Sequence, residues 1–190
     1  MNILAFPREA LGEQLEKPTL PFEAASIPAD HVFAPRPDLE TDPRYLQLIT
    51  YAVLRRSDGQ VWTYQRTGGD GRVKGRKSIG VGGHVDAVDQ HIDCVLSTSR
   101  NALIRELSEE LVNPPQLIPQ QPIGWINEQI SEIGRVHIGL VWDITWMDET
   151  APPQPAEGET LEGIGFQPLT AIREANGFEL WSELACKLLI

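Results

Sequence analysis

One stretch, from Ile79 to Asn113, constrains the fold of this chain more than any other. It begins with glycines at Gly82–Gly83 and ends with the acidic segment Arg105–Glu110. The acidic segment is rich in helix-forming residues, and acids spaced three and four apart share one face of a helix. Leucines on a neighbouring arc can pack against a core. The stretch therefore predicts a glycine loop followed by a helix that presents three carboxylates, those of Glu106, Glu109 and Glu110.

This acidic face has two interpretations. Like charges three and four residues apart destabilise a helix, and a divalent cation between them would relieve the repulsion, because Mg²⁺ and Mn²⁺ prefer oxygen ligands. The alternative is a solvated acidic surface, which many helices have. The preceding segment, Ser78–Val85, favours the first interpretation, because its glycines allow a ligand or metal to approach the backbone closely.

Taken together, the glycine loop and the acidic helix resemble the signature of the Nudix hydrolases. That signature runs Gly, five residues, Glu, seven residues, then Arg-Glu-apolar-any-Glu-Glu-any-Gly-apolar. Gly83 matches the first Gly, and the helix matches in register at Arg105, Glu106, Leu107, Glu109 and Glu110. The resemblance implies an α/β fold, an α/β/α sandwich around a mixed β-sheet.

Three positions depart from the signature. Asp89 replaces the first Glu, fifteen residues rather than seven separate Asp89 from Arg105, and Val112 replaces the closing Gly. The eight extra residues fall within Gln90–Ser99, where they lengthen either the loop or the start of the helix, and three residues could cap that helix: Asp93, Ser97 and Ser99. We expect this expansion to lie beside the site without supplying a metal ligand, because the acidic helix is complete without it. The role of Asp89 is left open.

The resemblance also implies the chemistry of a site. A Mg²⁺ or Mn²⁺ ion would be bound by Glu106, Glu109, Glu110 and the carbonyl oxygen of Gly82. Arg105 would brace the carboxylates rather than touch substrate. The general base would be a glutamate of the helix or one of three in a later loop, namely Glu157, Glu159 and Glu162.

A basic segment lies just before the glycine loop. Residues 67–77 combine four glycines with several cations in an otherwise acidic chain. Such a cluster could hold the phosphates of a substrate. The alternative is a solvated loop that offsets local acid. The predicted substrate-binding residues are Arg66, Lys74, Arg76 and Lys77.

The first 43 residues, which we call the arm, differ from the rest of the chain. Prolines recur from Pro7 to Pro43, and proline lacks a backbone donor and restricts the residue before it. We expect the arm to be mostly irregular, with at most a brief helix over Arg8–Glu16. Its apolar side chains predict that it packs on the main domain, residues 44–190, or on the second subunit of a homodimer.

The main domain alternates strands and helices. Tyr45–Arg55 and Val61–Arg66 read as strands of a hairpin, because Asp58–Gly59 between them suits a tight turn. A long central strand is predicted at Val136–Met147, since apolar residues alternate along it. The remaining predictions are strands at Ile123–Ile130 and Gly163–Gln167 and helices at Leu169–Ala175 and Glu179–Leu189. This order indicates a layered α/β/α domain.

Three tryptophans and two histidines are weaker candidates for the site. Tryptophan could stack on a base, but on an apolar stripe it more often belongs to a core. The histidines are likewise more often structural than catalytic. The residues concerned are Trp125, Trp142, Trp146, His84 and His137.

Charge and cysteine usage limit the partners. The net charge of −11 and a pI near 4.8 disfavour binding to a nucleic-acid polymer, because the backbone phosphates would be repelled. No window is apolar enough to span a membrane, and neither Cys94 nor Cys186 has a partner at metal-ligand spacing. We therefore expect a cytoplasmic protein with reduced thiols and a small-molecule diphosphate as partner.

Three functions remain from the sequence. The first is a metal-dependent hydrolase of a diphosphate linkage in a nucleoside diphosphate derivative or a similar small phosphorylated metabolite. The second is a Nudix-fold ligand-binding or regulatory module without turnover, which the lengthened signature favours. The third is a Nudix-fold isomerase of isoprenyl diphosphates, which would require Cys94 to reach the site.

Overall fold

The computed structural model describes residues 1–23, 26–69, 71–92 and 94–190, apart from the side chain of Glu13. The strands are β1 (Asn2–Pro7), β2 (Thr19–Pro21), β3 (Val32–Pro35), β4 (Tyr45–Arg55), β5 (Val61–Arg66), β6 (Lys77–Ser78), β7 (Gly80–Val81), β8 (Gly124–Ile126), β9 (His137–Thr145) and β10 (Leu161–Gln167). The α-helices are α1 (Arg36–Leu39), α2 (Val95–Glu110), α3 (Leu169–Glu174) and α4 (Leu180–Leu188). Short 3-10 helices span Arg8–Ala10, Gly12–Leu15 and Ala87–Asp89.

A parallel pair of long strands forms the centre of one mixed sheet. β4 and β9 are paired from Gln47–His137 to Arg55–Thr145. The other pairings are antiparallel, and the strands follow the order β10-β5-β4-β9-β8-β2. β1 lies between β3 and the start of β4, while β6 and β7 extend β5 and β4. The predicted central strand is thus confirmed, and it is shorter by one residue at its start and two at its end.

Helices cover both faces of the sheet because the strands alternate apolar side chains between the two faces. In β4, Ala52 and Leu54 belong to the core under α2, whereas Tyr51 and Val53 belong to the core under α3 and α4. This arrangement confirms the predicted α/β/α sandwich. Among the described residues, no helix is long and apolar enough to cross a bilayer.

The arm is built into the sheet. Its strand β1 pairs with β4, and Ile3–Phe6 are fully buried. Its strand β2 pairs with β8 at the other edge. Packing of the arm on the main domain is therefore confirmed, but the expectation of mostly irregular structure is wrong. The proline spacing leaves short segments free to pair, and two 3-10 helices replace the helix predicted over Arg8–Glu16.

Most other predicted elements are present with altered bounds. The hairpin turn after β4 is confirmed, with Gly59 at φ +84°. β8 covers only three of the eight residues predicted for its strand. The three predicted tryptophans, Trp125, Trp142 and Trp146, all lie in the core under α2.

The expansion lengthens helix α2 at its start. The helix begins at Val95, so half of the ten-residue segment Gln90–Ser99 is helical. Cys94 is the N-cap, and its sulfur accepts from the backbone N–H of Ser97 at 3.4 Å. The predicted caps Ser97 and Ser99 lie inside the helix, and Asp93 is outside the described residues.

Candidate active site

The glycine loop brings backbone directly against β4 and α2. Gly82 has φ +142°, and a Cβ there would lie 2.2 Å from the carbonyl oxygen of Thr50. A Cβ on Gly83 would lie 2.6 Å from Oε2 of Glu106. Gly82 therefore requires glycine for its backbone angle, and the absence of a side chain at Gly83 leaves room for the Glu106 carboxylate. The Thr50 N–H donates to the Gly83 carbonyl at 2.9 Å and fixes the loop on the sheet.

Two acids of α2 face this loop in a desolvated position. Burial raises the pKa of Glu106, although Arg105 opposes the rise. Burial also raises the pKa of Glu110 to about 8, helped by the charge of Glu106 and opposed by Arg66. Ionisation of buried carboxylates costs free energy, and a positive charge between the two groups would offset that cost.

One oxygen of Glu110 indicates how a cation could be held. Oε2 of Glu110 is buried and has no hydrogen-bond partner among the described residues. The lost hydration of such an oxygen is normally replaced by a hydrogen bond or by coordination. Paired carboxylate oxygens beside a glycine backbone are the donor set of Mg²⁺ or Mn²⁺, so Glu106 and Glu110 fit the predicted ion.

The third acid, Glu109, is placed differently. Its side chain is 56% exposed, and Oε2 accepts from Nη1 of Arg105 at 3.0 Å. Within the part of the chain that the structure describes, the three carboxylates do not bring their ligand atoms within 4.8 Å of one another. The helix thus presents two buried acids to the loop and one half-exposed acid beside them.

Arg105 holds this arrangement together. Its Nε and Nη2 donate to the two oxygens of Asp89 at 2.9 and 2.8 Å, and Nη1 donates to Glu106 at 2.6 Å. Nη2 also donates to the carbonyl oxygen of His84 at 2.9 Å. One guanidinium therefore ties helix α2 to two points of the preceding loop, at His84 and at Asp89, which agrees with its expected bracing role.

The same contacts give Asp89 a structural role. Its side chain is 4% exposed, and besides Arg105 it accepts from the backbone N–H of Asp86 at 2.9 Å. An Asp at this position is shorter than the Glu of the signature, and it suffices because the 3-10 helix Ala87–Asp89 brings it to Arg105. Both carboxylate oxygens of Asp89 therefore already accept hydrogen bonds within the protein.

A cavity of about 730 Å³ opens beside the glycine loop. The walls carry aromatic side chains from β4 and α4 as well as several cations. Arg66 is held there by Glu179, whose Oε2 accepts from Nε at 3.1 Å. Burial works against its charge, but Tyr64, Glu179 and neighbouring acids outweigh burial and raise the pKa of Arg66. Arg66 is therefore a permanent cation close to Glu110.

Only half of the predicted basic residues reach the cavity. Arg66 and Arg76 line it, whereas Lys74 is exposed outside the lining. The ammonium of Lys77 lies 5.8 Å from the ring centre of Phe178, also outside the lining. The side chain of lysine is long and flexible, and its direction cannot be read from the sequence. The cluster of basic residues therefore could not show which side chains face the cavity.

Several cavity residues were not predicted as members of the site. Arg36 comes from the arm, for which no role in the site was predicted, and Glu179 and Trp181 come from the last helical region. Arg72 was counted in the basic segment but not among the substrate-binding residues. No local pattern marks these residues, because their position depends on tertiary packing.

A second cluster lies at one wall of the cavity. Glu40, His84 and His137 are the one described group of three whose potential ligand atoms all lie within 4.8 Å. His84 Nε2 is 3.2 Å from His137 Nε2 and 3.0 Å from Oε1 of Gln47, and His137 Nδ1 contacts the carbonyl of Ile133 at 2.8 Å. Burial, together with the nearby charge of Arg36, lowers the pKa of His84 to about 3. Both histidines have protein partners, as expected for structural residues.

The remaining candidates are the later acids and Cys94. Glu157, Glu159 and Glu162 are all exposed, and the charge of Glu159 contributes to the raised pKa of Glu110. Cys94 caps α2 and is not part of the cavity lining.

Comparison with known proteins identifies the relatives of this chain. No protein-family model matches it. Protein YmaB of Bacillus subtilis strain 168 is 30% identical over 171 residues, covering 87% of this chain and 81% of YmaB.

Solved structures confirm the fold. Tm1382, a proposed Nudix hydrolase, has a TM-score of 0.77 at 20% identity and covers 100% of this chain and 98% of its own. DR0079 from Deinococcus radiodurans has a TM-score of 0.57 at 17% identity, and the match covers 89% of this chain and 97% of DR0079. The Nudix domain of Shewanella oneidensis NrtR, solved with ADP ribose, has a TM-score of 0.56 at 16% identity. That match covers 75% of this chain and 85% of the NrtR domain. The chain therefore belongs to the family of protein YmaB, and it has the Nudix fold.

Proposed function

We propose that this protein is a metal-dependent pyrophosphohydrolase of a nucleoside diphosphate derivative or a similar small phosphorylated metabolite. The observation that carries the proposal is the unpartnered, buried Oε2 of Glu110, next to the carboxylate of Glu106 and the glycine loop. Burial raises the pKa of both acids, and the charge of Glu106 raises that of Glu110 further; such a pair is costly for folding alone, and perturbed groups of this kind cluster at functional sites.

Glu106 and Glu110 would hold the ion, together with the Gly82 carbonyl and with Glu109 after a change of rotamer. When bound, Mg²⁺ or Mn²⁺ would neutralise charge on the diphosphate and polarise the attacking water. Arg66 stays cationic beside Glu110 and, with Arg76, would bind diphosphate oxygens.

Glu159 is our candidate for the general base. It is exposed, so it can exchange a proton with solvent, and its charge acts on Glu110. A base must lie within hydrogen-bond reach of the attacking water, directly or through one further water. We infer that Glu159 is closer to this position than Glu157 or Glu162.

A ligand-binding module without turnover is the second candidate. The specific observation in its favour is the likeness to the Nudix domain of NrtR, which was solved with ADP ribose. The lengthened loop before α2 is compatible with either function. The isoprenyl isomerase is not proposed, since Cys94 caps a helix outside the cavity lining.

The test is a panel of nucleoside diphosphate derivatives, including ADP ribose, assayed for phosphate-ester products with and without Mg²⁺ or Mn²⁺. We expect metal-dependent hydrolysis of at least one compound. Glu110→Gln should lower kcat by about a hundredfold, because one anionic ligand is lost from the transition state. Glu174→Gln, a change of an exposed acid that does not line the cavity, serves as the control and should leave the rate within about twofold.

Binding of a panel member with no metal-dependent turnover would favour the binding module instead. Equal rates for wild type and Glu110→Gln at limiting Mg²⁺ would show that the buried acids do not hold the ion.

A further inference from the structure

A chain of hydroxyl groups ends on the buried carboxylate of Glu179, in the wall of the cavity. Glu179 is 8% exposed, and its Oε1 accepts from the hydroxyl of Ser78 at 2.6 Å and from that of Tyr51 at 3.0 Å. The hydroxyl of Ser182 lies 2.9 Å from that of Tyr51 and accepts from the backbone N–H of Ile79 at 3.1 Å. The carboxylate is thus tied to strands β4 and β6 and to helix α4.

The hydrogen bonds of this chain all run toward Glu179. Burial and the charge of Glu179 hold the pKa of Tyr51 well above its ordinary value, so the hydroxyl keeps a proton to donate. Because Tyr51 gives its single proton to Glu179, Ser182 must donate to Tyr51 in turn. Two hydroxyl donors at Oε1 therefore fix the orientation of the carboxylate and leave Oε2 for a different partner.

That partner is a single nitrogen of Arg66. Nε of Arg66 donates to Oε2 of Glu179 at 3.1 Å, and among the described residues neither Nη1 nor Nη2 donates a hydrogen bond. The side chain is 25% exposed and lines the cavity, where its charge acts on Glu110. Since the guanidinium is planar, a partner at Nε leaves the edge formed by the two terminal nitrogens for a ligand. That edge matches two oxygens of a phosphate group.

We propose that Glu179 is a positioning residue, which holds the guanidinium of Arg66 so that its two terminal nitrogens face the diphosphate of the ligand. The inference rests on the diphosphate site of the proposed function and gives the start of helix α4 a part in it. An arginine side chain that is already fixed loses little rotamer freedom when a ligand binds, so the same contact gives higher affinity.

The competing explanation is that Glu179 only joins α4 to the sheet. Its backbone N–H also donates to the carbonyl of Lys77 at 2.9 Å, so the side chain is not the only attachment at this point. A double-mutant cycle with Glu179→Gln and Arg66→Gln separates the two roles, because a residue that acts through Arg66 has no further effect once Arg66 is gone. Gln at position 179 has a single acceptor oxygen, so it cannot accept from the hydroxyls at one end and from Arg66 at the other.

The ligand for this cycle is methylenediphosphonate, in which carbon replaces the bridging oxygen of a diphosphate and prevents hydrolysis there. Affinity is measured by calorimetry at saturating Mg²⁺. We expect each single variant to bind about tenfold more weakly than wild type, and the double variant to lie within about threefold of either single variant. Independent effects would instead give a loss of about a hundredfold, which would overturn the positioning role, as would Glu179→Gln with affinity within about twofold of wild type.

Two further comparisons keep the test decisive. Arg66→Gln leaves Glu179 buried without its cation, and if that variant does not fold, the double variant is compared with Glu179→Gln alone. A further loss of tenfold or more on removal of Arg66 would then overturn the proposal. Asp143→Asn is the matched control: Asp143 accepts from Nε of Arg55 at 3.0 Å in a partly buried pair, and neither residue lines the cavity. Its affinity should stay within about twofold of wild type.

Hydrolysis is assayed separately on the panel of nucleoside diphosphate derivatives. If no compound is hydrolysed but the cycle shows that Glu179 acts through Arg66, the pyrophosphohydrolase proposal fails and the positioning role stands. Metal-dependent hydrolysis with independent effects of the two substitutions has the opposite meaning. No binding of methylenediphosphonate to the wild type would also overturn the positioning role.

Discussion

Replacing Glu110 by Gln should stabilise the metal-free protein, and the gain should depend on pH. The carboxyl has an ordinary pKa of 4.5, and burial with the nearby Glu106 raises it to about 8 in the folded protein. Between these two values the folded state holds a proton that the unfolded state has released. The free energy of unfolding therefore falls as the pH rises through this window.

The magnitude follows from the two pKa values. At about 1.36 kcal/mol per pH unit, the wild type loses about 3 kcal/mol between pH 4.5 and pH 7, and the loss is complete above pH 8. Gln has nearly the shape of the protonated acid and does not ionise. The variant should therefore match wild type at pH 4.5 and exceed it by about 2–3 kcal/mol at pH 7, since the side chain can relax partly toward solvent.

The assay is urea unfolding in EDTA at pH 4.5, 6, 7 and 8.5, followed by fluorescence of the tryptophans. Glu109→Gln is the matched control, because that carboxylate is 56% exposed and paired with Arg105, and its effect should stay below about 1 kcal/mol. With saturating Mg²⁺ the wild type should become more stable to unfolding than Glu110→Gln, since only the wild type retains both buried ligands of the ion. A difference between Glu110→Gln and wild type that is constant across this pH range would refute the reasoning.

Three other outcomes are expected from the geometry of the site. Gly83→Ala should weaken Mn²⁺ affinity at least tenfold while the protein still folds, because the new methyl group would occupy the space of the Glu106 carboxylate; unchanged affinity in a Mn²⁺ titration would contradict this. Mn²⁺ affinity should rise about tenfold per pH unit between pH 6 and 8, because Glu110 must lose a proton to bind the ion, and calorimetry showing no pH dependence would count against it. Arg105→Lys should lower the free energy of unfolding by about 2–3 kcal/mol, because a lysine cannot serve Asp89 and the His84 carbonyl together; near-normal stability would argue against the bracing role.

The central part of the fold could be predicted because its signals are local. Alternation along Ile138, Leu140, Trp142 and Ile144 marks a strand with one face in a core, and the structure buries all four. The Asp-Gly turn after β4 is equally local, since only the turn residues decide it. The acidic helix also follows from its own spacing, and its end at Glu110 is within a few residues of Pro114–Pro115.

The arm and the cavity could not be predicted in the same way. β1 is buried because β3 and β4 flank it, and the sequence of Asn2–Pro7 does not indicate which strands will pair with it. Arg36 reaches the cavity through the same tertiary arrangement. Glu109 shows a second difficulty, because helical spacing placed it with Glu106 and Glu110, whereas a contact with Arg105 decides its direction. Side-chain direction at a half-exposed position depends on partners that spacing alone does not reveal.

The parallel pairing of β4 with β9 has a consequence for synthesis on the ribosome. Gln47 pairs with His137, so the central pair cannot form until ninety further residues have been made. Until then, β4 would present a long apolar edge, and the fully buried Ile3–Phe6 of β1 would lack the completed sheet that covers them. Antiparallel pairing of β5 with β4 is available much earlier, since only the turn at Arg56–Gln60 must close. The nascent chain therefore spends most of its translation with its first strand made and its central partner missing, which is when a chaperone would have the most surface to bind.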